Sequence, residues 1–237
     1  MNRTIHIFAS LTLAEPFQGI IRDFTASRPD VIVQPTYGFC GALMEKMAAG
    51  AAVDVFAPSS EAMLAKAVAQ GLAYADGAVN YARNRLVLVG LRSGSYPERL
   101  GELSEPRFAR IAIGDPGSVP PGRYGRMALE NAGLWRDLEP RLQQYSDGIQ
   151  PLKAVLEGRA DVAFIFASTA SGAADRIHIL DVPVEVSMHY PVAVARNSAH
   201  LDLARAFLAY LQTAPAQELL RQAGFSSATD QTPSVTS

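Results

Sequence analysis

The sequence predicts an α/β protein, because short apolar strands alternate along the chain with amphipathic helices. The chain has 237 residues, of which 49% are hydrophobic, so it can bury the core of one large domain or of two lobes. The formal net charge is -2, and 19% of the residues are charged. This composition contains neither a basic stripe for a nucleic-acid backbone nor a polybasic segment for anionic lipid, so neither partner is expected.

The first half of the chain repeats one strand and helix pattern. "IHIFA" is the first predicted strand, and Leu13, Phe17 and Ile20 follow it at helical spacing. "VIVQP" and "VDVFA" are the next strands, and each is followed by a helix that ends at a glycine, Gly50 and Gly71. This order predicts parallel strands joined by helical crossovers.

A second block of alternating elements begins at "RLVLVG". It contains the strands "RIAIG", "RLQQY" and "DVAFIF", with helices over 124–131 and around residues 152–156. After "VEVSMHYPVAVA" we expect two helices, over 201–211 and about 215–223. The last stretch, 226–237, lacks apolar periodicity and is predicted to be a frayed tail.

Cysteine content and terminal sequence limit the possible compartments. The single Cys40 excludes an intrachain disulfide and a multi-cysteine metal site. No apolar run approaches the roughly 20 residues that span a bilayer, so direct membrane insertion is not expected. The N-terminus enters a strand without the pattern of a signal peptide. The sequence therefore predicts a cytoplasmic protein, or an exported one whose signal peptide is absent from this sequence.

One turn, "GDPGSVPPGRYGRMALENAG" at 114–133, ends a strand and starts a helix without any catalytic side chain in between. The start of a helix presents unpaired N–H groups and the positive end of its dipole, which attract an anion. The backbone of this turn is therefore predicted to bind an anion. Gly122 is expected to lie in an exposed turn, where the missing side chain lets the anion approach closely.

Several motifs resemble, in order, the molybdate-binding proteins of ABC importers. They are "FASL", "AAGAAVDVFAPSS", "YARNRLVLV", "IAIGDPGSVPPGRYGRMALENAGLW", "LEGRADVAFIF", "YPVAVA" and "LLRQAGF". The resemblance covers nearly the whole chain and implies the two-lobed type II periplasmic-binding-protein fold, in which mostly parallel sheets are flanked by helices and the ligand lies between the lobes. The implied lobes are 1–84 with 192–237, and the inserted segment 85–191.

The resemblance also implies a function, a ligand and a partner. We expect a solute-binding protein that captures molybdate or tungstate, without a cofactor, a free metal cation or a catalytic residue. The expected partner is the permease of an ABC importer, the expected location is the periplasm, and the protein is expected to be a monomer. A site made only of hydrogen-bond donors favours a fully ionised anion, since the proton of hydrogen phosphate would have no acceptor.

The ligand-binding positions that the resemblance implies fall on both predicted lobes. They are Ser10, Leu11, Cys40, Pro121, Gly122, Gly148 and Phe166. Ser10 keeps the hydroxyl of the family, although an ordinary helix N-cap is the alternative role. Pro121 has no N–H, so Gly122 is the stronger candidate for a backbone donor.

Two positions depart from the family pattern. Cys40 stands where the family has a serine, and Phe166 stands where it has a tyrosine that donates to the ligand. Each lost bond to a charged group costs about 1.5–3 kcal/mol, or roughly 10- to 100-fold in affinity. The alternative function is therefore a binding protein or sensor of the same fold for a small organic anion.

A cysteine-dependent enzyme is a third hypothesis. A thiol at a helix start can act as a nucleophile if one of His6, His178, His189 or His200 lies beside it. No histidine lies in a recognisable motif, and the aspartates Asp54, Asp115, Asp147 and Asp161 have the positions of turn and capping residues. The sequence therefore favours a binding protein over an enzyme.

Overall fold

The structure, a computed structural model, describes residues 3–186 and 188–229. This part of the chain divides into two compact units. The first unit holds residues 3–83 and 188–229, and the second holds residues 84–186. Among these residues, no helix combines the length and the apolar character that crossing a bilayer requires.

The strands of the described chain are β1 (Arg3–Ser10), β2 (Val31–Gly38), β3 (Val55–Ala57), β4 (Val79–Arg83), β5 (Leu86–Leu91), β6 (Ile111–Gly114), β7 (Leu142–Tyr145), β8 (Val162–Phe166), β9 (Ile177–Asp181) and β10 (His189–Val194). The helices are α1 (Ala14–Ala26), α2 (Cys40–Ala48), α3 (Glu61–Ala69), α4 (Pro120–Asn131), α5 (Trp135–Leu138), α6 (Gln150–Leu156), α7 (Ala167–Ala170), α8 (Leu201–Tyr210) and α9 (Ala214–Gln222). Short 3-10 turns cover Leu11–Leu13, Leu100–Ser104, Glu139–Arg141 and Ser171–Ala173.

The first unit is built on a sheet with the strand order β2-β1-β3-β10-β4. β1 pairs in parallel with β2 and β3, whereas β10 runs antiparallel to β3 and β4. The carboxyl ends of β1, β2 and β3 therefore share one edge of the sheet with the start of β10. Phe17, Ile20 and Phe24 of α1 recur on one helix face and are buried in the core of this unit.

The second unit repeats the plan with the order β7-β6-β8-β5-β9. β6 pairs in parallel with β7 and β8, and β5 runs antiparallel to β8 and β9. The carboxyl ends of β6, β7 and β8 thus share one edge of this sheet, from which α4, α6 and α7 start. Each sheet therefore has four strands in one direction and one reversed strand.

Most predicted strands and helices lie within one to three residues of their observed bounds. Gly50 and Gly71 follow the ends of α2 and α3 with φ of 88° and 71°, as expected for residues that terminate helices. β4, α5, α7 and β9 were not predicted from the sequence. In β9, exposed and buried residues alternate only weakly.

The residue boundaries of the two units differ slightly from those predicted for the two lobes. β10 begins at His189 and pairs with β4 of the first unit, so the expected boundary between 191 and 192 falls inside a strand. Ser226, the first residue of the predicted tail, exchanges backbone hydrogen bonds with Arg83 at 2.9 Å in each direction. Residues 230–237 of that predicted tail lie outside the described residues.

Candidate functional site

Three predicted site residues of the first unit lie at the carboxyl edge of its sheet. Parallel pairing sets Ser10, the last residue of β1, opposite Gly38, the last residue of β2. α2 begins at Cys40, two residues later. Leu11 follows Ser10 in a 3-10 turn, with 53% of its surface exposed. The fold therefore brings Ser10 and Cys40 to neighbouring turns although 30 positions separate them in the sequence.

Ser10 is 6% exposed, and its side chain does not cap the turn that it precedes. Its hydroxyl instead shares a hydrogen bond of 3.1 Å with Thr12 Oγ1. The Thr12 hydroxyl in turn donates to Tyr190 Oη at 3.4 Å. Ser10 is therefore an N-cap residue by position only, because its hydroxyl makes no capping bond and belongs instead to a chain of three hydroxyl groups.

Cys40 is the first residue of α2 and is 7% exposed. Its side chain packs in an apolar cluster with Phe8 and Leu43. The Cys40 sulfur accepts the Ser59 N–H at 3.4 Å and lies 3.5 Å from Ser59 Oγ. Cys40 is thus buried, and it lies at the same edge of the sheet as Ser10. Ser59, in the segment after β3, contacts Cys40 at this edge.

In the second unit, Gly122 lies in the first turn of α4, and it is buried. A Cβ built on Gly122 would lie 2.5 Å from the carbonyl carbon of Gly114, at the end of β6. The expectation of an exposed turn is therefore wrong, since the missing side chain lets α4 pack directly on the strand. In the described chain the Gly122 N–H has no hydrogen-bond acceptor.

Gly148 lies next to the same helix start. A Cβ built on Gly148 would lie 3.3 Å from Pro121 Cγ, so these two predicted site residues are neighbours. The Asp147 carboxylate accepts the N–H groups of Ile149 and Gln150 at 2.8 Å each. The start of α6 is thus capped, and within residues 142–156 the Gly148 N–H is left without an acceptor.

Phe166 is the last residue of β8 and is half-buried, at the edge from which α4 and α6 start. Its ring faces that of Tyr124 on α4, with 6.0 Å between centroids and an angle of 45° between the planes. Phe166 therefore lies at the strand end where the resemblance placed a tyrosine, and a tyrosine from another element lies against it.

The donors at these two edges are neutral: backbone N–H groups, hydroxyls and a thiol. Arg126 on α4 pairs with Glu130 of the same helix at 2.8 Å and lies over the ring of Trp135 on α5, so its charge is already engaged. Arg123 is exposed and has no ion pair in the described chain. Before α4, hydrogen bonds from Ser118 and Gly117 lower the pKa of Asp115, which therefore stays ionised as a turn-forming residue.

The other titratable candidates have structural roles. Asp54 accepts the His6 N–H and the Ser198 hydroxyl, and Asp161 accepts the N–H of Arg110. The thiol of Cys40 contacts Ser59 rather than a histidine, so the geometry of a cysteine nucleophile is not formed in the described residues. Residues 3–186 and 188–229 also contain no group of three side chains arranged to hold a metal ion.

Sequence reasoning missed Thr12, Ser59 and Tyr190 as neighbours of Ser10 and Cys40. Ser59 had a detectable signal, because it lies in "APSS", which overlaps the end of the third strand. The carboxyl ends of adjacent parallel strands share one edge of a sheet, so Ser59 could have been predicted to lie near Ser10. Tyr190 lies 178 positions from Thr12 and is brought there by the reversed strand β10. The direction of that strand was not predicted.

Known proteins match this chain over almost its full length. A family model described as bacterial extracellular solute-binding protein matches residues 5–226. The molybdate-binding protein ModA of Mycobacterium tuberculosis is 28% identical over 228 residues, covering 94% of this chain and 84% of the relative. YvgL of Bacillus subtilis, assigned as an ABC transporter substrate-binding lipoprotein, is 26% identical over 227 residues, covering 94% and 86%.

A solved structure agrees with these sequence relatives. The substrate-binding domain assigned to a molybdenum ABC transporter of Clostridium difficile has a TM-score of 0.88 and 26% identity, covering 94% of this chain and 98% of that one. The predicted fold class, two mixed α/β sheets flanked by helices, is thereby confirmed. With residues 5–226 matched by the family model, the chain belongs to the family of bacterial extracellular solute-binding proteins.

Proposed function

We propose that this chain is the solute-binding component of an ABC importer and that it captures a tetrahedral oxyanion, molybdate or tungstate. One observation carries the proposal: the starts of α2 and α4, which the family resemblance assigns to the ligand, have no capping side chain. Their N-cap residues are Phe39 and Val119, whose side chains contain no hydrogen-bond acceptor. A polar N-cap contributes about 1 kcal/mol, so its absence at both helices supports a ligand in that role.

Neighbouring helices show that capping is not missing throughout the protein. Ser60 caps α3 by accepting the N–H of Met63 at 3.3 Å, and Asp147 covers the start of α6. The N–H groups of Gly41 and Gly122, by contrast, have no acceptor in residues 3–186 and 188–229. The starts of α1, α8 and α9 also lack a capping side chain, so it is the family resemblance that assigns the starts of α2 and α4 to the ligand.

The proposed ligand-binding residues belong to both units. They are Ser10, Leu11 and Cys40 in the first, and Pro121, Gly122, Gly148 and Phe166 in the second. Ser10 contributes a hydroxyl, Leu11, Gly122 and Gly148 contribute N–H groups, and Cys40 contributes its N–H and a weak thiol donor. Pro121 and Phe166, which have no side-chain donor, form apolar walls.

Selectivity follows from the chemistry of these donors. A dianion gains several charge-assisted hydrogen bonds, each stronger than a neutral one. Hydrogen phosphate carries a proton that would meet donors only, which costs about 1–3 kcal/mol for the unsatisfied group. Molybdate and tungstate are fully ionised at neutral pH, so the proposed site favours them over phosphate.

The proposed partner is the permease of the importer, and the proposed location is the periplasm, where such a protein would meet its solute. The family description and the ABC-transporter names of the relatives support both. The protein is proposed to act as a monomer that needs no cofactor or free metal ion. Tungstate is included because it shares the charge and shape of molybdate.

Isothermal titration with molybdate, tungstate, sulfate, phosphate and a panel of small carboxylates tests this function. We expect saturable binding of molybdate and tungstate with little response to phosphate. Ser10→Ala should weaken molybdate binding. Ser171→Ala, which removes a hydroxyl bonded to the Ser168 carbonyl, is the matched control and should leave binding unchanged. A response to carboxylates alone would favour the organic-anion alternative, and a flat response to every anion would refute the proposed function.

A further inference from the structure

We infer that Tyr124 supplies to the oxyanion the aryl hydroxyl that Phe166 cannot donate. This assignment rests on the proposed function, because it names an additional ligand-binding residue for the same anion. It concerns a position on α4, whereas Phe166 ends β8. The second unit would thus keep a phenol at its site, carried by a different element of the fold.

The position of Tyr124 on its helix directs the side chain toward the anion-binding turn. Tyr124 follows Pro121 by three residues, which is close to one turn of an α-helix. Side chains on a helix lean toward its N-terminus and cover the preceding turn. The Tyr124 ring therefore covers the turn that contains Pro121 and Gly122, rather than the middle of α4.

Contact with Phe166 fixes the side of the helix on which the ring lies. The two ring centroids are 6.0 Å apart and the planes are tilted by 45°, within the range of a favourable aromatic pair. Phe166 ends β8 at the edge from which α4 and α6 start. The Tyr124 ring is therefore held at that edge, beside the position from which a residue-166 hydroxyl would donate.

The Tyr124 hydroxyl is available for a ligand. Tyr124 is half-buried, and its hydroxyl has no hydrogen-bond partner in the described residues. Tyr145, also in the second unit, is different, because its hydroxyl donates to Gln143 Oε1 at 3.3 Å and accepts from Arg159 at 3.2 Å. The Tyr96 ring is stacked on that of His178 in β9, with 3.6 Å between centroids. Of these three tyrosines, Tyr124 combines an open hydroxyl with a place at the helix start.

A phenol suits this role for two physical reasons. Its O–H donates to an ionised oxygen in a charge-assisted bond, which is about twice as strong as a neutral one. The ring has two rotatable side-chain bonds, and the Phe166 contact restricts them before the ligand arrives. Phe166 thereby acts as a positioning residue for Tyr124.

Moving the hydroxyl between the two rings tests the assignment. Molybdate titrations would compare the wild type with Tyr124→Phe, Phe166→Tyr and the double variant Tyr124→Phe/Phe166→Tyr. We expect Tyr124→Phe to weaken binding by about 10- to 100-fold, and the double variant to recover most of that loss. Tyr96→Phe, at a tyrosine of the same unit, is the control and should bind as the wild type does.

Each outcome decides the inference. Tyr124→Phe with wild-type affinity would overturn it, and so would a loss that the double variant does not recover. A fall in the apo melting temperature of Tyr124→Phe that accompanies the loss would also overturn it, since the residue would then serve packing. If the wild type itself does not bind molybdate, the proposed function fails together with the inference. Binding by the wild type and all variants alike refutes the Tyr124 role alone.

Discussion

Gly122 in the first turn of α4 lies directly against Gly114 at the end of β6. A Cβ on Gly122 would come within 2.5 Å of the Gly114 carbonyl carbon and 3.1 Å of its Cα. A Cβ on Gly114 would in turn lie 2.5 Å from Val119 Cγ1. The backbones of the strand and the helix are thus in direct contact. This contact fixes the position of the open Gly122 N–H relative to the end of β6.

Gly122→Ala is therefore expected to destabilise the unliganded protein. The added methyl group meets backbone atoms, which cannot rotate away, so α4 must shift on the sheet. Overpacking of this kind costs about 1–3 kcal/mol, and roughly 2–4 °C of melting temperature is lost per kcal/mol in a protein of this size. Thermal unfolding of the apo protein measures the effect. Gly101→Ala is the control, because a Cβ on Gly101 meets nothing within 4 Å; equal melting temperatures for the two variants would contradict the packing role.

Local sequence signals were sufficient for most of the fold. Apolar spacing and glycines at helix ends act over a few residues, so the alternation of strands and helices was predicted, along with the ends at Gly50 and Gly71. β9 was missed because only Ile177 is buried in it, and an exposed edge strand leaves little hydrophobic alternation. The motif resemblance supplied the two-unit plan, which no break in composition marks.

The site was less accessible to sequence reasoning, because its contacts join distant segments. The role of Gly122 depends on the distance between two backbones, which a glycine in a turn motif does not reveal. The bond from Thr12 to Tyr190 depends on a reversed strand, and the contact of Cys40 with Ser59 depends on the end of a third strand. The sequence could therefore supply candidate residues for the site, whereas their hydrogen-bond partners could not be predicted from it.

Thr12 is expected to orient the Ser10 hydroxyl for the anion. The 3.1 Å hydrogen bond between the two hydroxyls restricts the Ser10 rotamer, and the Tyr190 hydroxyl accepts a hydrogen bond from Thr12. Thr12→Val keeps the shape and removes this neutral bond of about 0.5–1.5 kcal/mol, so molybdate affinity should fall about 2- to 10-fold. Titration should show that Ser10→Ala loses more molybdate affinity than Thr12→Val does, and that Thr12→Ser binds molybdate nearly as well as the wild type. A Thr12→Ser variant as weak as Thr12→Val would instead indicate a packing role for the threonine methyl group.

Tyr37 is expected to make stability sensitive to alkaline pH. Burial raises the pKa of Tyr37 from 10.0 to about 12, so the folded state favours the neutral phenol. This contribution to stability is fully present below pH 10 and is lost as pH rises toward 12. Denaturant unfolding between these values should show a steeper loss for the wild type than for Tyr37→Phe, with Tyr96→Phe as the control.

The same substitution should not destabilise the protein at neutral pH. The Tyr37 hydroxyl is buried and has no hydrogen-bond partner in the described chain, so Tyr37→Phe removes an unsatisfied polar group. We expect a melting temperature equal to or above that of the wild type. A lower value would mean that the hydroxyl is satisfied, and would contradict this prediction.

Cys40→Ser is expected to tighten molybdate binding, because it places a stronger donor at the start of α2. The Cys40 sulfur now accepts the Ser59 N–H at 3.4 Å, and a serine oxygen could keep that bond while its own proton turns to the anion. A charge-assisted hydrogen bond contributes about 1.5–3 kcal/mol. If part of this is gained, molybdate affinity should rise by roughly tenfold at most. Cys40→Ala is the matched control, since it removes the thiol without adding a donor. If Cys40→Ser weakened molybdate as much as Cys40→Ala did, the position would serve the apolar cluster of Phe8 and Leu43 rather than the ligand.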